Sequence, residues 1–244
     1  MITIVLIIAH LIGDFMFQPQ YLVKHKHTQK NALIKHAGIY AICVSIITFL
    51  SIPATAALYV SIIISLLHFL IDAAKEYIIR KRPNYDGVLI FTLDQTIHII
   101  TVFIVAFVVK EFSISVSGLI SALINIYNGD TIDRGLTIFL IYTVCLSPAA
   151  VFIKKLLQKI IPNKCQNEDN HENIGFAIGI LERLIILTLG LAGHIEAIGF
   201  IIAAKSLARF RQLSNKEFAE KYLIGTLTSV LIALICVFIG IRVM

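Results

Sequence analysis

Histidine and aspartate recur at helical spacing inside apolar stretches of this sequence: His10-x3-Asp14-x3-Gln18, His68-x3-Asp72 and Asp94-Gln95-x2-His98. Residues three or four apart are neighbours on one helix face, so each set projects as a unit. An ionisable side chain inside a membrane span is costly and is normally kept for function. Imidazole and carboxylate together are ligands for Zn²⁺, or for Mn²⁺ or Fe²⁺ where carboxylates dominate. His36, near the start of another apolar run, is a further candidate.

The elements that must position these groups are membrane helices. The chain of 244 residues is 58% hydrophobic and 15% charged, with a mean hydropathy of +0.87, which excludes an ordinary water-soluble globule. About eight runs approach the length needed to cross a bilayer core: 2–18, 32–51, 55–79, 88–109, 134–157, 173–192, 195–211 and 217–241. The first run lacks a basic leader and carries His10 and Asp14, so a cleaved signal peptide is a poor reading of it. The expected fold is an all-α polytopic bundle: a four-span half over 1–110, an outer connection over 111–133 and a second four-span half over 134–244. A weak apolar stripe (Val116, Leu119, Ile120, Leu123, Ile124) makes a short surface helix plausible within the connection.

Charge sets the expected orientation. The formal net charge is +6, and basic residues alternate between loops. Lys24, Lys26, Lys30 and Lys35 mark one loop, and Lys75, Arg80, Lys81 and Arg82 the next. Lys154, Lys155, Lys159 and Lys164 mark a third, and Arg209, Arg211, Lys216 and Lys221 a fourth. The intervening loops are nearly free of them, which fits the positive-inside rule with both termini outside. Topology and anionic headgroups explain the basic clusters, so nucleic acid is not an expected partner. Cys43, Cys145, Cys165 and Cys236 have no paired spacing and read as small apolar residues. Nucleotide-binding, zinc-protease and serine-hydrolase signatures are missing from the sequence.

Depth unites the ionisable residues. Counted from the cytoplasmic helix ends, Asp14, His36, Asp72 and Asp94 fall roughly 7–10 Å deep, and His10, His68 and His98 roughly 13–16 Å. Two adjacent polar layers on several helices suit ligands projecting into a bundle. The expected metal ligands are His10, Asp14, His68, Asp72, Asp94 and His98, with Asp14 and Asp94 as catalytic carboxylates. Gln18, His36 and Gln95 are expected to orient them. The plainer alternatives are packing histidines and an Asp72–Lys75 pair. In the second half, Lys205 and Arg209 are four apart and are either snorkelling anchors or a clamp for a phosphate. Glu182 and Arg183 lie in mid-span, where an ion pair to another helix is the simplest reading.

The motifs His10-Leu-Ile-Gly-Asp14-Phe-x-x-Gln18, His68-x-x-Ile-Asp72-x-x-Lys75 and Leu93-Asp94-Gln95-x-x-His98 resemble the N-terminal signature of bacterial membrane proteins grouped as DUF3307. The stretch from Ala197 through Lys205 to Arg209-Phe, and Leu223-Ile-Gly-Thr-Leu, is similar to the C-terminal segment of longer members. The resemblance implies an inner (plasma) membrane protein and no particular activity. The layout is loosely similar to small membrane-embedded metal-dependent hydrolases, which is analogy alone. From the residues, the preferred expectation is a divalent-metal hydrolase site, Zn²⁺ first, opening to the cytoplasmic leaflet. Its substrate would be a phosphorylated or ester-linked lipid. A proton- or cation-coupled transporter is the alternative, and a scaffold recruiting a cytoplasmic partner is the third reading.

Overall fold

A computed structural model describes residues 1–19, 21–22, 29–83, 86–160 and 169–244, with the side chains of 169–174 excepted. All regular structure among them is helical. Helix α1 (Ile2–Leu11) runs into a π-helical turn, Ile12–Met16. Next come α2 (Lys30–Phe49), α3 (Ala54–Lys81) and α4 (Val88–Glu111). A short α5 (Gly118–Tyr127) precedes α6 (Gly129–Leu146) and α7 (Pro148–Ile160). The chain closes with α8 (Asp169–Leu191), α9 (Ile195–Ala208) and α10 (Lys216–Val243).

Local chemistry explains the breaks. Pro148 has no N–H to donate back into a helix and disfavours helical backbone at the residue before it, so α6 and α7 meet at Ser147. Asn215 opens α10 by accepting a hydrogen bond from the Phe218 N–H. The start of α5 is pinned to the α2–α3 turn: Ser117 N–H donates to the Ser51 carbonyl and Leu119 N–H to that of Leu50, both at 2.9 Å. Gly118 allows this with φ +61°, and a Cβ there would lie 2.9 Å from the Leu50 oxygen.

Five helical segments are long and apolar enough to cross a membrane: α2, α3, α4, the run Gly129–Ile160 and α10. The pattern of burial agrees with lipid as solvent. Leu58, Tyr59, Ile62, Leu66 and Leu70 on α3, with Leu93, Ile97, Ile100, Ile104 and Phe107 on α4, face outward. His68, Asp72, Asp94 and His98 on the same helices are buried. Exposed apolar patches of this extent mark a membrane surface, and this is a membrane protein. The runs expected at 2–18, 173–192 and 195–211 are helices but fall outside the five. Helix α9 has 14 residues, about 21 Å at 1.5 Å per residue. The basic loops expected at 19–35 and 158–173 lie partly outside the described residues, as do Lys24, Lys26, Lys164 and Cys165.

The chain forms two compact units, Met1–Leu140 and Ile141–Met244. In the first, α1 to α4 surround an apolar core of Leu6, Ala9, Val44, Val60, Ile64, Val102 and Val105. That core fills the halves of the helices beyond His10, Tyr40, His68 and His98. In the second, Ile141, Cys145, Leu187, Cys236 and Val237 pack together. Gly190 lets α8 approach α10 closely, since a Cβ there would sit 2.5 Å from Val237.

Candidate metal centre

Four side chains from three segments of the N-terminal unit converge. Asp14 comes from the π turn, His36 from the first half of α2, and His68 and Asp72 from one face of α3. Their side chains are buried, His36 to 0% exposure and Asp72 to 1%. His36 Nε2 lies 3.3 Å from Asp14 Oδ1, 3.2 Å from Asp72 Oδ2 and 3.3 Å from His68 Nε2. His68 Nε2 lies 3.9 Å from each of the same two carboxylate oxygens. A tetrahedron with metal–ligand bonds of about 2.0–2.1 Å has edges of about 3.3–3.4 Å. Three observed edges match that value and two exceed it by about half an ångström.

Protons alone serve this arrangement poorly. One N–H on His36 Nε2 can aim at only one of three neighbouring acceptors, and two carboxylates within 4.8 Å of each other repel. A divalent ion among these atoms relieves both conflicts, and these buried Asp and His groups can hold one.

A second set adjoins the first. The ligand atoms of Asp72, Asp94 and His98 also lie within 4.8 Å of one another. His98 Nδ1 donates to the Asp94 carbonyl at 2.9 Å, so in the neutral ring the lone pair sits on Nε2. That nitrogen is buried without a hydrogen-bond partner among the described residues. Between Asp72 and Asp94 stands Lys75, whose Nζ donates to Asp72 Oδ1 at 2.7 Å and to Asp94 Oδ2 at 2.9 Å. Its ammonium thus supplies one positive charge where the second set would otherwise take a cation.

An outer ring of hydrogen bonds orients the ligands. Gln95 Nε2 donates to Asp14 Oδ2 at 2.9 Å and to Asp94 Oδ2 at 3.2 Å. Its Oε1 lies 3.4 Å from His10 Nε2, and His10 Nδ1 lies 3.2 Å from the Tyr40 hydroxyl. The carbonyl oxygen of Gln95 can only accept, so His10 carries its proton on Nε2 and Tyr40 donates to Nδ1. The Tyr40 ring stacks on His68, with centroids 3.6 Å apart and 3° between planes.

Four of the expected site residues are placed as follows. His10 was expected as a ligand, but both its nitrogens are engaged and it stands outside the two sets. The π turn begins after His10, so Asp14 does not fall in α-helical register with it. His36 was expected to orient ligands and instead stands among them. Asp94, expected as a catalytic carboxylate, is turned to Lys75 and Gln95. Gln18 makes no hydrogen bond to these ligands, and its buried Nε2 has no partner among the described residues. In the C-terminal unit, Lys205 pairs with Glu182 and lies over Tyr222, while Arg209 lies over Phe218.

Sequence reasoning passed over Tyr40, Glu76 and Gly13. Tyr40 follows His36 by four residues, and Glu76, 1% exposed, follows Asp72 by four, so helical spacing could have found both. Gly13 is needed for closeness: a Cβ there would lie 2.9 Å from Tyr40 Cδ2. Gly13→Ala is therefore expected to displace the ring stacked on His68. It should weaken divalent-metal affinity by about 10–100-fold, the usual effect of disturbing a ligand's outer support. Chelator competition on the purified variant checks this.

The model for the family described as "Protein of unknown function (DUF3307)" matches residues 2–127, which carry every residue of the two ligand sets. The C-terminal motifs around Lys205 and Leu223 lie beyond that match. No curated protein and no solved structure matches the chain.

Proposed function

The chain belongs to the DUF3307 family, and we propose that it is a membrane-embedded, metal-dependent hydrolase acting at the cytoplasmic leaflet on a phosphorylated or ester-linked lipid. The observation that carries this reading is the convergence of buried ligand atoms from Asp14, His36, His68 and Asp72. His36, His68 and Asp72 would hold the ion, Zn²⁺ in preference to Mn²⁺ or Fe²⁺. Two imidazoles and one carboxylate are a known catalytic zinc set that leaves a position for water. A bound divalent cation supplies Lewis acidity and brings the pKa of such a water toward neutrality.

Asp14 is the residue proposed to take the proton. It is the least enclosed of the four, with a side chain 7% exposed against 0–1% for the others. Gln95 holds its outer oxygen and leaves the inner one facing the ligands. Lys75 fixes Asp72 and Asp94. His98 Nε2 is a bare acceptor beside them, placed for a proton or a substrate hydroxyl. Transport would need polar groups to continue outward, where Leu6, Val44, Ile64 and Val102 instead pack as an apolar core. Thr48 and Ser61, buried farther along, spend their hydroxyls on carbonyls of their own helices.

The proposal includes about eight spans, two four-span halves joined by an outer connection over 111–133, and both termini outside. Cysteine labelling in spheroplasts should therefore reach Ser117→Cys and Asn128→Cys from outside. The activity test uses purified protein in vesicles containing phosphorylated and ester-linked lipids. Asp14→Asn should lower turnover by about 10²–10⁴-fold, the range for loss of a general base, while retaining the metal. Ion flux that depends on Asp14 and His68, with no lipid turnover, would decide for the transporter.

A further inference from the structure

The C-terminal unit buries a cation that the metal centre does not use. Arg183 on α8 is 2% exposed. Its Nε donates to the Cys145 carbonyl on α6 at 2.8 Å, and its Nη1 donates to Ser229 Oγ on α10 at 3.2 Å. Nη2 is buried and has no hydrogen-bond partner among the described residues. Both acceptors are neutral, and the neighbouring Glu182 is committed to Lys205. A guanidinium cannot shed its charge, unlike a buried lysine or histidine. A charge held inside a membrane bundle calls for a counter-charge, and among the described residues no acid stands in ion-pair contact with Arg183.

The surroundings provide an approach and a second donor. Gly175, Gly179 and Arg183 recur every four residues and so lie on one face of α8. A Cβ at Gly175 would meet nothing within 4 Å, and one at Gly179 would meet only Arg183 Nη1, at 3.5 Å. This face of the helix thus carries no side chain at Gly175, which is exposed, or at Gly179, against which the guanidinium lies. Ser229 accepts from Nη1 and has no other hydrogen bond among the described residues, so its own hydroxyl proton is available.

We propose that the guanidinium end of this face binds a small monovalent anion of chloride size, held by Arg183 Nη2 and the Ser229 hydroxyl. One negative charge neutralises the one guanidinium. A dianionic phosphate would leave an excess charge in the same apolar surroundings, and a large organic anion would not fit between three packed helices.

The test uses the full chain in detergent. Sodium chloride is exchanged for sodium gluconate or sodium phosphate at constant ionic strength, with melting temperature and ³⁵Cl NMR linewidth as readouts. Wild type should melt higher with chloride in a saturable way and broaden the ³⁵Cl signal. Ser229→Ala should weaken chloride affinity by about 10–100-fold, the cost of one charge-assisted hydrogen bond. Arg183→Gln should abolish the response. Should that variant fail to fold, Gly179→Leu keeps the arginine, covers this face and should also abolish it. Identical wild-type melting in chloride and gluconate with no excess linewidth overturns the proposal. So does a chloride response unchanged in Ser229→Ala and Gly179→Leu, or a response to phosphate alone.

Discussion

His36→Ala is expected to lower divalent-metal affinity by about a hundred- to a thousandfold, whereas His10→Ala should lower it only about tenfold. The contrast follows from geometry. His36 Nε2 stands 3.2–3.3 Å from three other converging ligand atoms. His10 spends its two nitrogens on Tyr40 and Gln95. A four-coordinate zinc site is worth about 10–16 kcal/mol, so one ligand carries about 3 kcal/mol, or two to three decades of affinity. An outer partner such as His10 acts through Gln95 on Asp14, an effect of about 10–100-fold at most. Competition against a chromogenic chelator measures both variants. Equal losses, or a larger loss for His10→Ala, would return His10 to the ligand set and remove His36 from it.

The second large effect is expected at Lys75. Its ammonium joins Asp72 and Asp94 from inside the bundle, with the two carboxylates 1% and 3% exposed. Lys75→Met removes the charge and leaves both acids buried. Breaking a buried ion pair by deleting one partner costs about 3–5 kcal/mol, measurable as a shift in SDS-induced unfolding. Asp94→Asn in the same background should recover part of that loss, and the double-mutant cycle gives the coupling directly. A second consequence is stoichiometric. With the ammonium gone, Asp72, Asp94 and His98 can take a cation of their own, so Lys75→Met protein that folds in excess metal should bind two ions per chain. A loss below about 1 kcal/mol, typical of an exposed pair, together with unchanged stoichiometry, would contradict this role.

Much of the centre was legible because helical periodicity reports faces. The four-residue spacing of His68 and Asp72, and of Asp94 and His98, together with their position along apolar runs, put them in two layers before any contact was known. The ranking of ligands was not legible. His36 stands without an acidic partner on its own helix, so spacing gave it no weight, although two other segments deliver three ligand atoms to it. His10 looked equivalent to His68, yet the π turn that begins two residues later changes the register of Asp14. Nothing in Ile12-Gly-Asp-Phe-Met announces a π turn, because it is selected by tertiary packing around Gly13 and Tyr40. Lys75 was visible as a neighbour of Asp72 on α3. Its reach to Asp94 on α4 was not, since it depends on how two helices face each other.

The fold divides in the same way. Membrane-length apolar runs announced α2, α3, α4 and α10 to within a few residues. The break at Ser147 was signalled by Pro148 but not assigned. Glu182 and Arg183 invited an ion pair with another helix, and the structure treats them separately. Glu182 goes to Lys205, while Arg183 goes to a carbonyl and a hydroxyl. Adjacent residues on a helix point about 100° apart, so one partner could not have served both.

X-ray absorption at the zinc edge, on purified full-length protein loaded with one equivalent of Zn²⁺, tests the central claim most directly. Four nitrogen and oxygen neighbours at about 2.0–2.1 Å, with outer-shell scattering from two imidazoles, are the expected result. Asp72→Ala should replace the lost carboxylate oxygen with water and weaken zinc binding while the imidazole scattering stays. A spectrum of six water-like oxygens without imidazole scattering, or one unchanged by His36→Ala and His68→Ala, would contradict a metal centre at this convergence.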